Sequence, residues 1–137
     1  MDFLFIFHSH FRWLVVLAGL AVLLKFLFGW LGKKSYGKTD QVLHAIYSGI
    51  IDLQLLTGLV FLLWSGLSSA GFPRYRIEHT VIMIIVVILA HLGGRWRTAG
   101  DAIRFRNGFL TLLLSLILIF VGVLMLPGGL LRWMAGT

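Results

Sequence analysis

The sequence holds no cysteine in 137 residues. That absence excludes a disulfide, an iron–sulfur cluster, a thiolate-held metal and a covalently attached c-type haem. Charge is scarce as well: 12% of residues are charged, and five acidic side chains face twelve basic ones. No internal repeat and no low-complexity linker divides the chain. This argues against a transporter built on inverted repeats and for one compact domain over residues 1–137. The start, Met1 to Phe7, lacks a basic stretch and a small-residue cleavage site, so it reads as a lead-in to the first apolar run and not as a signal peptide.

What the chain has in excess is hydrophobicity, at 59% of residues and a mean hydropathy of +0.96. That is too apolar for a soluble core and implies lipid as the solvent. Four runs are long enough to cross a hydrocarbon layer of about 30 Å: about 8–31, 42–64, 77–93 and 105–126. They are separated by Gly32 to Lys38, by the Gly/Ser/Pro-rich stretch Ser65 to Pro73 and by a basic loop, and the last stops at Pro127-Gly128-Gly129. The expected fold is therefore all-α, an integral membrane four-helix bundle running up-down-up-down.

Orientation follows from Lys and Arg in the short connections. Lys25, Lys33, Lys34, Lys38, Arg95, Arg97, Arg104 and Arg106 fall on one side, and Arg12, Arg74, Arg76 and Arg132 on the other. The first side is expected to be cytoplasmic, which leaves both termini on the non-cytoplasmic side. The formal net charge of +7 then serves topology and contact with anionic lipid. With no basic soluble face, nucleic acid is not an expected partner. Trp13, Trp30, Trp64, Trp96 and Trp133 fall near the predicted interfaces, as an aromatic belt does.

Five histidines in such a chain call for an account, because ionisable groups at membrane depth are costly and mark function by default. His8, His10 and His79 lie toward the outer ends of their spans, and His44 and His91 toward the inner ends. His79 and His91 are about 18 Å apart along one helix at 1.5 Å per residue. Two bis-imidazole layers thus fit within one membrane: His8 with His79, and His44 with His91. Each pair has the makings of axial ligation to a b-type haem held inside a bundle.

On a helical wheel His8, Arg12 and Gly19 share a face within about 40°. Arg12 is placed there to pair a propionate, and Gly19 to admit a flat macrocycle. His10 points the other way and is held as a substitute for His8. His79 and His91 differ by about 120° around their helix, so His79 should address the first span and His91 the second. Arg74 and Arg76 beside the outer pair, and Arg95 and Arg97 beside the inner one, are further propionate candidates. Asp52, in mid-span with His44 and Ser48 on one stripe, should point inward, be protonated or be hydrogen-bonded. It is the candidate for proton handling or for contact with a quinone.

The segments His8-Ser9-His10-Phe11-Arg12-Trp13, Asp52-Leu53-Gln54 and Arg76-Ile77-Glu78-His79 resemble a family of small four-helix bacterial membrane proteins labelled b-type cytochromes. The resemblance covers nearly the whole chain and implies haem b, two groups or one, in a multi-pass protein of the bacterial inner membrane. More distantly, the histidine layout is similar to the four-helix core of cytochrome b in quinol-oxidising complexes. The expectation is an electron-carrier subunit, not a stand-alone enzyme, beside a larger quinol-linked respiratory or photosynthetic complex. Its partners would be lipids, other membrane subunits and quinone or quinol. Two competing readings use the same residues. One is a cofactor-poor accessory subunit, packed through Gly19, Gly49, Gly58 and Gly122. The other is a chlorophyll-binding subunit, in which one imidazole serves each pigment.

Overall fold

A computed structural model describes residues 2–135. Among them there is no strand. The chain folds into α1 (Asp2–Leu31), α2 (Lys38–Ser65), α3 (Arg74–His91), α4 (Asp101–Leu124) and a short α5 (Leu130–Ala135). A π-helical turn, Gly66–Ala70, extends α2, and a 3-10 turn, Leu92–Trp96, extends α3. Four of these helices are long and apolar enough to cross a membrane. This is the build of a multi-pass membrane protein.

The helices start and stop where local chemistry requires it. Lys33 takes a left-handed conformation (φ 48°) after α1, and the Lys34 N–H bonds back to the Gly29 carbonyl at 3.0 Å, closing the frayed end. Asp40 receives the Gly37 N–H at 2.9 Å and so caps the start of α2. The same carboxylate meets Lys25 at 3.1 Å and ties α2 to α1.

The four long helices pack in a ring in chain order: α1 lies between α2 and α4, and α3 also lies between α2 and α4. Neighbours run antiparallel. His8 lies near Thr57 and Phe26 near His44 across α1–α2, while Arg76 meets Ser65 and Ser48 meets Ala90 across α2–α3. One end of the bundle carries α5 and the connection 66–73. The opposite, basic end carries the connections 32–37 and 92–100.

The two halves of the bundle are filled differently. Toward the basic end the axis is solid, built from Phe26, Tyr47, Phe105 and Leu112, each at most 1% exposed. Phe26 stands edge-on to Phe105, Tyr36 and His44 with ring centres 5.6–5.7 Å apart. Gly108 makes room for it, since a Cβ there would come within 2.6 Å of the Phe26 ring. Edge-to-face aromatic packing of this kind adds about 0.5–1.5 kcal/mol per pair beyond the area it buries. The other half is open at its centre, between α1 and α3.

Helix α5 extends the fold beyond the run that the Pro-Gly-Gly stop ends. Gly128 (φ 98°) and Gly129 (φ 48°) take backbone angles that L side chains rarely adopt. They turn the chain back over the bundle mouth. Trp133 then stacks on Phe120 with ring centres 5.3 Å apart and stands edge-on to Trp13 at 5.5 Å.

Candidate functional site

The open half encloses a cavity of about 140 Å³, walled by all four long helices and by α5. Two histidines and three arginines mark it: His8 and Arg12 from α1, Arg76 and His79 from α3, and Arg132 from α5. Below them the lining is apolar, with Val15, Ile51, Met83, Val86 and Ile119. The site is polar at its mouth and oily at its floor.

His8 and His79 come from helices on the diagonal of the bundle, yet their ring centres are 6.5 Å apart and their planes stand at 86°. Two imidazoles that share one metal at about 2 Å from each nitrogen have ring centres about 6 Å apart. Perpendicular planes satisfy that arrangement as well as parallel ones, because each plane need only contain the line through the metal.

The hydrogen bonds around the two rings assign their protons. His79 Nδ1 lies 2.9 Å from the Gly122 carbonyl, which can only accept, so Nδ1 carries the hydrogen and Nε2 keeps its lone pair. Thr57 Oγ1 donates its hydrogen to the Gln54 carbonyl at 3.0 Å, so at 3.3 Å it accepts from His8 Nδ1. The Gln54 amide, 3.4 Å from His8 Nε2, is a donor and faces a lone pair there too. Both rings therefore carry the hydrogen on an anchored Nδ1 and keep Nε2 as the basic nitrogen, which in His8 receives the Gln54 amide. Metal-bound histidines are held in this way.

The arginines find few acceptors. Arg12 is 6% exposed, donates from Nη2 to the Arg132 carbonyl at 3.0 Å and lies 4.9 Å from the Trp133 ring centre. Its Nε is buried without a hydrogen-bond partner. Arg76 donates to Ser65 Oγ at 2.8 Å, and Arg132 to the Pro127 carbonyl. Among the described residues these three guanidiniums have no carboxylate partner. A second buried polar atom without a partner is Gln54 Oε1. Carboxylates at one end of a flat apolar ligand would answer the three guanidiniums, and imidazole could bind such a ligand at its centre; Gln54 Oε1, an acceptor, would still need a donor.

The other expected site residues lie elsewhere. Gly19 shares a wheel position with His8 but lies about 16 Å further along α1, so it passes the cavity floor; a Cβ there would come within 2.9 Å of Tyr47 and Leu116. It serves helix packing and does not face the cavity. Arg74, about 200° around α3 from Arg76, turns outward with a 91% exposed side chain and pairs with Glu78 at 2.6 Å. His10 is exposed and donates from Nδ1 to the Ile6 carbonyl of its own helix at 2.8 Å.

His44 and His91 do not meet as His8 and His79 do. His44 is buried edge-on to Phe26 and pressed against Gly93, where a Cβ would collide with the ring; its Nε2 has no partner. His91 is exposed and bonds through Nε2 to both Asp52 carboxylate oxygens, at 2.9 and 3.1 Å. The wheel explains the split. Ala90 is buried and turns its face to the core, so His91, 100° further round, looks outward along the α2–α3 seam. The aromatic plug fills the axis where a second macrocycle would have to lie. The basic-end residues do not fit a second haem.

Several residues in and beside the cavity wall were not singled out as site residues from the sequence. Gln54, Thr57 and Gly58 hold His8, and their i, i+3, i+4 spacing on an otherwise apolar span was the available signal. Arg132 depends on the turn at Gly128-Gly129, which hydropathy does not reveal. Among the described residues no three His, Cys, Asp or Glu side chains converge as ligands of a bare metal ion. Comparison of the chain with family models, with curated proteins and with solved structures gives no match.

Proposed function

We propose that this chain is a membrane electron carrier that binds one b-type haem between His8 and His79. The observation that carries the reading is the approach of two imidazoles across the bundle diagonal, with ring centres 6.5 Å apart and both Nδ1 atoms hydrogen-bonded to the protein. Arg12, Arg76 and Arg132 would hold the propionates by charge-assisted hydrogen bonds. Such a haem supplies reversible one-electron chemistry. The chain's own part is to fix both imidazole tautomers, to keep water from the apolar floor and to set the positive field at the mouth. The positive field of Arg12, Arg76 and Arg132 would favour the more negative, reduced state of a haem held there.

The one-haem form departs from the two-layer expectation because the aromatic plug leaves no gap at the basic end. The lysine and arginine count supports an orientation with both termini outside, which would set the haem toward the outer face, and the bacterial inner membrane is what the resemblance to small bacterial membrane proteins implies. The four spans and their short connections take up the described residues, and neighbouring membrane subunits are the proposed donor and acceptor. A quinol-linked complex is the class that suits such a subunit.

The test is an absorption spectrum of the dithionite-reduced, purified protein together with a haem extraction count. One haem per chain is expected, lost in His8→Ala and in His79→Ala and kept in His44→Ala. No haem in protein purified from haem-replete cells would overturn the proposal, and so would a haem that survives His79→Ala.

A further inference from the structure

Outside the cavity, one polar feature has no place in the electron-carrier reading. Asp52 and His91 bridge the outer seam between α2 and α3 with side chains 47% and 53% exposed. Asp52 lies 14 residues into α2, about 21 Å along the axis at 1.5 Å per residue. Around the pair the exposed surface is apolar: Leu56 is 58% exposed, Ile84 41% and Ile88 55%. Carboxylate and imidazole at this depth are costly against hydrocarbon, and in folded membrane proteins they face protein or water.

The same face is also shaped for close approach. Gly49 and Ala45 are exposed on it one turn apart, and a Cβ at Gly49 would meet nothing within 4 Å. Small residues let helix backbones come together where hydrocarbon gives no other driving force.

The pair is self-complementary, and this selects the occupant. Asp52 and His91 lie side by side at one depth on adjacent helices. A two-fold axis along the membrane normal preserves depth and exchanges left with right, so it sets α2 of one copy against α3 of the other. Each Asp52 then meets His91 of the second copy. An isologous contact of this kind closes at two subunits.

We propose that the α2–α3 outer face is the interface of a two-fold dimer of this chain. The two Asp52–His91 pairs join into one polar ring, with Gly49 and Ala45 admitting the opposite helix. This interface is independent of the haem reading, since none of its residues touches the cavity.

The chain has no cysteine, so a single introduced cysteine can form a disulfide with another copy and with nothing else in this protein. Native membranes co-expressing two full-length single-cysteine chains distinguished by a size tag, Leu56→Cys with Ile88→Cys or Leu56→Cys with Leu24→Cys, are oxidised and resolved by non-reducing electrophoresis, because α2 of one copy faces α3 of the other. Leu24 serves as a lipid-exposed control on α1. The expected result is a mixed-dimer band for 56 with 88 at least tenfold stronger than for 56 with 24, diminished when Asp52→Leu is added to Leu56→Cys. Native mass measurement of the wild-type chain in lipid nanodiscs should give two copies. Equal bands for the two pairings would overturn the proposal. So would a monomer mass, or a cross-link from position 56 to a different protein only. The haem count reads the earlier proposal separately and should not change in these variants.

Discussion

Gly58 on α2 and His8 on α1 are in direct contact: a Cβ at Gly58 would stand 2.8 Å from Cε1 of the imidazole. The ring is thus set by the absence of a side chain opposite it, together with Thr57 and Gln54 on the same helix. Gly58→Ala should push the His8 ring off its line to His79. Overpacking of this kind costs about 1–3 kcal/mol. On the electron-carrier reading the haem content of purified Gly58→Ala should fall to less than half of wild type. An unchanged haem-to-protein ratio would show that His8 is not held by this contact.

Gly93 and His44 offer the matching test at the basic end. A side chain at Gly93 collides with the His44 imidazole, so Gly93→Ala should destabilise the fold by about 1–3 kcal/mol. Adding His44→Ala removes the colliding ring, and the double variant should recover part of the loss. Thermal unfolding in detergent measures both steps. Strict additivity of the two changes would rule out the coupling.

Lys25 and Asp40 form the ion pair between α1 and α2, with side chains 45% and 6% exposed. Lys25→Met leaves the Asp40 carboxylate buried with the Gly37 N–H as its remaining partner. Breaking a fully buried pair costs about 3–5 kcal/mol, but the half-exposed lysine is screened by solvent, so about 1–2 kcal/mol is expected here. A fall in Tm that Asp40→Asn relieves in the Lys25→Met background would support this account. No change in Tm would refute it.

Tyr36, in the connection between α1 and α2, lies against Phe105 with Arg104 over its ring at 3.8 Å. Burial is the larger influence and raises the phenol above its ordinary value of 10; Arg104 pulls it down, and Asp40 adds to the rise. A raised folded-state value means that the folded chain holds the proton more tightly. The stabilisation is complete below pH 10 and is lost as pH climbs through the folded value. Melting curves from pH 9 upward should show Tm falling in wild type, with a shallower fall in Tyr36→Phe. Parallel curves would exclude Tyr36 as the origin.

Much of this fold was legible because hydrophobic spans need only length and composition to be seen. The runs at 8–31, 42–64, 77–93 and 105–126 grew by a few residues at most ends, where Lys38, Arg74 and Asp101 begin their helices. The wheel around His79 and His91 was legible too, since their 120° difference sends one toward α1 and the other toward α2. What the wheel lacked was the height at which the cavity ends. Gly19 was placed on the right face and the wrong level for that reason.

The linear chain by itself determined the helical membrane framework, the basic end and the levels of its histidines, because each depends on residue type summed along one helix. Only the packed bundle decided which imidazoles would share a gap. The choice rests on helix rotation and diagonal spacing, on Phe26, Tyr47 and Phe105 filling one half of the axis, and on glycine-hinged α5 bringing Arg132 over the other. Contacts between residues as far apart as Arg12 and Arg132 are properties of volume filled in three dimensions, and no local pattern carries them.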